Sequence, residues 1–282
     1  AVLSIENVAG NVFTTTFEVD GVARADAVEA GSAVVATRID GINYYEIEEL
    51  HLALGKGDDT LNIRGTTAVT SVTTGDGDDR IMISSTAGAG VEDEVGFLQG
   101  HLHDINGALD IDAGKGANQL MVSGEASALD NGDIIITDKI VATEPAAAEI
   151  AVRGLTGGDN AFGWVDLAQA TISFRADPTG SFARGVTLWT GFGADTVWID
   201  GTHFRAGLRT LTTLNTGLGN DTVRIDLDAS ETNGADTADG LFVLNTQGPW
   251  NDYPGITDND TVLAAGIEPV SGNPYSTTLP LV

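Results

Sequence analysis

Gly55-Lys56-Gly57-Asp58-Asp59-Thr60-Leu61 is followed by Gly75-Asp76-Gly77-Asp78-Asp79-Arg80-Ile81 and then by Gly114-Lys115-Gly116-Ala117-Asn118-Gln119-Leu120, where Asn replaces Asp. The phrase is G-x-G-x-D-x-(apolar). It returns as Gly191-Phe192-Gly193-Ala194-Asp195-Thr196-Val197 and as Gly217-Leu218-Gly219-Asn220-Asp221-Thr222-Val223, and in degraded form as Asp258-Asn259-Asp260-Thr261-Val262. Such recurrence is the signature of a repeat architecture, in which one short unit cannot bury its apolar face until neighbours stack on it.

Spacing carries as much as wording. Asp59 to Asp195 is 136 residues, and Asp79 to Asp221 and Asn118 to Asp260 are each 142. The near-constant offset predicts a tandem duplication of a block of about 140 residues carrying three copies. Neighbouring copies lie 20, 26 or 39 residues apart, the last read as two units of about 20, so one coil takes about 20 to 26 residues.

Alternating segments flank each copy: Glu49–Leu54 and Thr60–Ile63 around the first, Val186–Trp189 and Thr196–Ile199, then Leu211–Leu214 and Thr222–Ile225, around later ones. Period two puts Val197 and Ile199 on one face, the interior, and turns the intervening Trp, Arg or Asn outward. Strand, turn, strand, repeated, predicts an all-β protein: a parallel β-helix (β-solenoid) with its G-x-G-x-D turns stacked along one edge. If the whole chain takes part, about eleven to thirteen coils form a rod on the order of 50 to 60 Å. The expected organisation is N-terminal coils or a cap over 1–45, with a strand in Asn11–Val19; a first block over 46–142; divergent coils or a linker over 143–185; a second block over 186–266; and a tail over 267–282. Thr143–Glu149 is the best candidate for a short helical or linker segment; 91–104 and 128–185 read as divergent coils or loops, the latter with a turn at Asp130–Asp133 and a buried strand at Ile134–Ile136; and 248–257 reads as a loop inserted within one coil.

Composition agrees and excludes other classes. Of 282 residues, 36 are glycine, 7 proline and none cysteine, which favours short strands with tight turns and removes disulfide and zinc-thiolate chemistry. Against 13 basic residues stand 41 acidic ones, a net charge of −28 that repels phosphate backbones and anionic lipid. No nucleic-acid partner and no membrane insertion are expected, the latter because no apolar run approaches the roughly 18 residues a spanning helix needs. The sequence begins at Ala1 without a signal segment, which reads as a processed chain or an excised piece.

The turns offer hard oxygen ligands. Stacking brings Asp59 beside Asp79 and Asp195 beside Asp221, so like charges accumulate unless neutralised, and Ca²⁺ tolerates imperfect oxygen geometry better than Mg²⁺. The competing reading of each acid is an Asx-turn bonded to its own backbone. The phrases resemble the haemolysin-type (repeats-in-toxin) calcium-binding nonapeptide, G-G-x-G-x-D-x-U-x, of secreted bacterial cell-surface proteins. That resemblance implies a right-handed β-roll or β-helix ordered by calcium outside the cell. It makes Asp59, Asp79, Asp195 and Asp221 ligands, with Gly55, Gly57, Gly75, Gly77, Gly191, Gly193, Gly217 and Gly219 as turn positions and carbonyl donors. Asn118, Asp258 and Asp260 are weaker candidates. The family's first glycine is replaced here by Leu54, Thr74, Ala113, Thr190 and Thr216, and copies come once per coil rather than every nine residues.

Other chemistry is thinly signalled. His101 and His103 have no third metal ligand, Trp189, Trp198, Trp250 and Tyr253 read as packing or sugar-stacking aromatics, and the threonines at 14–16 and 212–213 as ordinary strand residues. No hydrolase elbow, phosphate loop or zinc-protease motif occurs. The expected function is a non-catalytic extracellular or cell-surface structural protein: a calcium-stabilised β-helix acting as a surface-layer, adhesin-stalk or filament-forming subunit that self-associates end to end. The alternative is a carbohydrate-active enzyme or carbohydrate-binding module on the same scaffold, with polysaccharide as its partner.

Overall fold

A computed structural model describes residues 2–7, 14–19, 22–27, 42–44, 47–88, 98–156, 170–208, 210–226, 241–246 and 260–265. The chain is all-β, with no helix among these residues. Numbered in chain order, its strands fall into three sheets. One has eight strands in the spatial order β18 (Leu241–Asn245), β16 (Leu211–Asn215), β14 (Val186–Trp189), β10 (Gln119–Ser123), β8 (Arg80–Ile83), β6 (Thr60–Ile63), β1 (Val2–Asn7) and β4 (Ile42–Tyr44). A second has nine: β19 (Thr261–Ala265), β17 (Thr222–Asp226), β15 (Thr196–Ile199), β11 (Ile134–Thr137), β12 (Ile150–Arg153), β13 (Ile172–Arg175), β9 (Leu109–Asp112), β7 (Val69–Asp76) and β5 (Glu49–Lys56). β2 (Thr14–Val19) and β3 (Val22–Ala27) form a separate antiparallel pair.

From β5 to β11 the chain alternates strictly between the nine- and eight-stranded sheets, and it does so again from β14 to β19. All pairings in the two large sheets are parallel except those that join β12 to β11 and to β13. The apolar position after each turn acid is stacked in register on its counterpart: Leu61 on Ile81 on Leu120, and Val197 on Val223. These residues are fully buried, as are Ile63, Ile83, Val122 and Ile199, and they share one core with Val72 and Ile111 of the other sheet. Parallel strands of this kind are held by apolar burial of about 25 cal/mol per Å².

Several expectations are corrected. The turns do not lie along one edge. Turns 55–59, 75–79 and 114–118 lead from the nine-stranded to the eight-stranded sheet, whereas 191–195 and 217–221 lead the opposite way, so the two series build separate columns. The 39-residue spacing is one stacking step rather than two: Asp79 N–H bonds Asn118 Oδ1 directly and β8 pairs with β10, the longer interval arising between the end of β8 at Ile83 and the start of β9 at Leu109. Among the described residues the two large sheets hold eight and nine strands. On the outer face of the eight-stranded sheet Met82 and Met121, at outward positions, are buried with Ala87 and Leu98, and Asn62 is buried too.

Within 1–45, β1 inserts between β4 and β6 and the predicted strand over Asn11–Val19 is realised as β2. Thr143–Glu149 makes hydrogen-bonded turns rather than a helix, with the Ala148 N–H donating to Pro145 O. Seven residues do not offset helix nucleation, and the Glu144 carboxylate is claimed by Arg153.

The turn glycines are dictated by stacking as much as by dihedral angle. A Cβ on Gly75 would lie 1.7 Å from Gly55 O, and one on Gly217 would lie 1.8 Å from Gly191 O. Gly57, at φ 115°, meets nothing within 4 Å. Gly75→Ala is therefore expected to destabilise the protein by about 3 kcal/mol or more, and Gly57→Ala, which pays only the dihedral cost, by about 1–2 kcal/mol. Equilibrium urea unfolding of both variants checks this; equal losses would mean that the contact with the turn below is not the constraint.

Candidate functional site

The turn acids are buried. Asp79 is 0% exposed, Asp195 and Asp221 1%, and Asn118 0%. Each reaches back one turn to the backbone of its predecessor. Asp59 N–H donates to Asp79 Oδ1 at 2.8 Å, and Asp79 N–H to Asn118 Oδ1 at 2.9 Å. In the second column Asp195 N–H donates to Asp221 Oδ1 at 2.8 Å and Asp221 N–H to Asp260 Oδ1 at 3.0 Å. The carbonyls run the other way: Asp59 O accepts Arg80 N–H and Asp195 O accepts Thr222 N–H, both at 2.8 Å. Each column is thus a ladder that fixes strand register through side chain and main chain together.

Neither Asx-turns nor the sequence pattern anticipated this pairing between turns, nor its second rail. At the preceding position Asp58 Oδ1 accepts Asp78 N–H at 2.9 Å, Asp78 Oδ1 accepts Ala117 N–H at 2.8 Å, and Asp130 Oδ1 accepts Ala194 N–H at 2.7 Å. The inner carboxylates point back along the chain and the outer ones forward.

The second column also starts one turn earlier than the motif suggested. Ser127-Ala128-Leu129-Asp130-Asn131 lies beneath Gly191–Asp195, and both the N–H and the Nδ2 of Asn131 donate to Asp195 Oδ1, at 2.9 and 3.0 Å. It lacks glycines because the crowding falls on the upper residue: a Cβ on Gly193 would sit 1.9 Å from Leu129 O, whereas Leu129 itself has no such constraint from Gly193. The signal available in sequence was Asp130-Asn131 before the apolar run Ile134–Ile136.

The glycine carbonyls proposed as metal donors already accept one N–H each where the stack continues, Gly75 O from Lys115 at 2.8 Å and Gly191 O from Leu218 at 3.1 Å. The inner carboxylates keep one oxygen in reserve from the backbone ladder: Oδ2 of Asp79, Asp195 and Asp221 is buried and accepts no backbone N–H, with the Thr190 and Thr216 hydroxyls beside the Asp195 and Asp221 carboxylates. Burial, the largest effect, pushes the Asp221 carboxyl up to about 7; the neighbouring Asp195 and Asp260 add to it, against the Asp195 N–H and the Thr216 hydroxyl. Asp195 is raised as well, chiefly by burial, despite the Thr190 hydroxyl and Asn131. At the exposed second position of the phrase, charges alternate, with Asp76 between Lys56 at 3.6 Å and Lys115 at 3.2 Å; Lys115 holds the Asp76 carboxyl below its usual range.

Among the described residues, no group of three or more His, Cys, Asp or Glu side chains is gathered to hold a metal ion. Asp258, Trp250, Tyr253 and the 248–257 loop lie outside the described residues; Asp260 is described and carries the last rung. His101 and His103 stack on each other with ring centroids 4.6 Å apart, and His103 Nε2 contacts Ser127 Oγ at 3.1 Å. Trp189 is buried, while Trp198 lines an open groove. Comparison of the chain with known protein families, with curated proteins and with solved structures finds no match.

The raised Asp221 sets the sign of a pH effect. Between about pH 4 and 7 the native carboxyl holds a proton that the unfolded chain has released, so the contribution of Asp221 to stability without metal is greatest at the acid end, falls as pH rises through this window and flattens above about 7, opposed by the lowered His103, Glu144 and Glu149. Asp221→Asn keeps the Oδ1 acceptor, as Asn118 does naturally, and is expected to flatten that slope and equal or exceed the parent's stability at pH 7. Asp221→Ala strands the Asp195 N–H and is expected to lose about 1–3 kcal/mol. Chelated thermal melts from pH 4 to 8 measure both; a parent and an Asn variant whose stabilities differ by the same amount across this window, or an Asn variant as weak as the Ala variant, contradicts the ladder.

Proposed function

We propose that the protein is a two-sheeted β-solenoid with a non-catalytic structural role outside the cell, a surface-layer, adhesin-stalk or filament subunit. The observation that carries this reading is the pair of ladders, in which the most chemically distinctive residues of the chain are spent on fixing one turn against the next. The alternation of successive strands between two sheets, with turns stacked at both junctions, supports the solenoid. The charged side chains speak against a lyase for anionic sugars, since several of the described cations are held by carboxylates: Lys139 by Asp200, Arg153 by Glu144, Arg175 by Asp110 and Asp112, and Arg205 by Glu149.

Calcium is the proposed counterion. The oxygens that fit it are the reserved Oδ2 atoms of Asp79, Asp195 and Asp221, together with glycine carbonyls that retain a second lone pair. Asp59 extends the first column and Asp260 the second; Asn118 contributes a neutral oxygen. Bound there, the ion supplies the positive charge that lets stacked carboxylates ionise at neutral pH.

Self-association follows from the ends. Among the described residues β4 and β5 terminate the two large sheets on one side and β18 and β19 on the other, and parallel edges of this kind template pairing with a second copy. The protein in millimolar calcium is expected to form filaments or sheets in negative-stain micrographs, with sedimentation showing mass that grows with concentration. A monodisperse monomer at all calcium levels would overturn the assembly role, and one that also depolymerised a polysaccharide would replace it with an enzyme.

A further inference from the structure

We propose that the outer face of the nine-stranded sheet carries a binding groove for a neutral polysaccharide chain, centred on Trp198. The inference is independent of the assembly role. It begins from the pleat: Val197 and Ile199 point into the core at 0% exposure, so Trp198 between them presents its indole on the opposite face. There it pairs in register with Ile135 on β11 and Arg224 on β17, and Ile135 pairs with Arg153 on β12. One row of outward side chains thus crosses four adjacent strands. Two residues further along lies a polar row of Thr137, Asp200 and Asp226.

Between these rows is a groove of about 360 Å³ whose walls include Lys139, Val141, Arg153, Trp198, Asp200 and Asp226. Its chemistry matches a sugar ring, which has a C–H face that packs on an aromatic plane and a rim of hydroxyls that needs both donors and acceptors. The polar groups are held in place beforehand. Asp200 Oδ2 accepts the Thr137 hydroxyl at 2.7 Å and Oδ1 lies 3.3 Å from Lys139 Nζ. Arg153 is gripped by both oxygens of Glu144, at 2.6 and 2.7 Å, and donates to Lys139 O at 2.8 Å. A fixed fork of this kind loses little freedom when a ligand arrives.

Charge balance selects the class of sugar. In a chain of net charge −28 the groove and its margins carry three cations, Lys139, Arg153 and the Arg224 beside Trp198, against three carboxylates, Asp200, Asp226 and the Glu144 behind Arg153. Lys139 and Arg153 are already paired and the count balances, which leaves no net attraction for a uronate or sulfate, and the field of the whole chain repels one. The volume lies at the low end for a ligand site, enough for about one or two sugar units of a chain that runs on beyond the groove.

The test is isothermal titration of the full chain with three probes: cellohexaose, mannohexaose and hexagalacturonate. Saturable binding of at least one neutral hexaose is expected, weakened about tenfold or more in both Trp198→Ala and Asp200→Asn, with the galacturonate weaker than the neutral probe. Thermal melts establish that the variants are folded; if Trp198→Ala is not, Trp198→Phe and Asp200→Asn carry the comparison, with intermediate weakening expected in the former. Failure of both neutral hexaoses to bind at millimolar concentration, parent-like binding in the Trp198 and Asp200 variants, or tighter binding of the galacturonate overturns the groove. Sedimentation of the same variants in calcium keeps the two proposals apart, because the groove substitutions are expected to leave assembly unchanged.

Discussion

A carboxylate oxygen from one turn accepts the N–H of the equivalent residue in the turn before it, and this bond holds both columns of the structure in register. It requires close approach, which is why the upper of two stacked turn residues has no room for a Cβ above the carbonyl below. It also requires that the acid be inside. Register set at the turns then carries into the strands, so that Leu61, Ile81 and Leu120 stack and the interior closes without misaligned side chains. Remove the acceptor and both a buried donor and the alignment of the following strand are lost.

The same arrangement creates an electrostatic problem that the rest of the molecule only partly resolves. One oxygen of each inner acid is engaged by backbone, but the reserved oxygens of Asp195 and Asp221 lie in neighbouring turns with little water, and burial lifts both carboxyls. Either a proton or a cation must answer that cost. A proton suffices at acid pH; at neutral pH a divalent ion is the better answer, and a chain with 41 acids and 13 bases has few cations of its own to offer. Where the exposed part of the phrase permits, it does use its own, alternating Lys56, Asp76 and Lys115.

Much of this was legible in the sequence. Period two around each phrase placed Leu61, Val197 and Val223 in the interior, and G-x-G marked tight turns, because alternation and glycine report local geometry directly. What alternation does not report is which sheet a strand enters, so the two series were expected in one column and occupy two. Equally hidden was the step from Asp79 to Asn118, where the turns stack as neighbours although 39 residues separate them, and Ala87 and Leu98 pack on Met82 and Met121. Asp130–Asp133 reads as a turn, but its place as the first rung of the second column does not show, because the glycine rule binds only the upper member of a stacked pair, an asymmetry that appears once the turns are superposed. Calcium ligation was read from residue type; the geometry adds that one oxygen per acid is already committed to the backbone.

The most direct test of the central claim is a series of thermal unfolding curves by circular dichroism at pH 7.5, after chelation and then across calcium concentrations, with magnesium as control. An ion that binds only the folded state adds RT ln(1 + [L]/Kd), about 2.7 kcal/mol at roughly a hundred times Kd. The account predicts a melting temperature that climbs with calcium and not with magnesium, and an increment that shrinks when Asp195 and Asp221 are both replaced by asparagine and disappears when Asp59 and Asp79 are replaced as well. A melting temperature that does not move between chelator and millimolar calcium would contradict it.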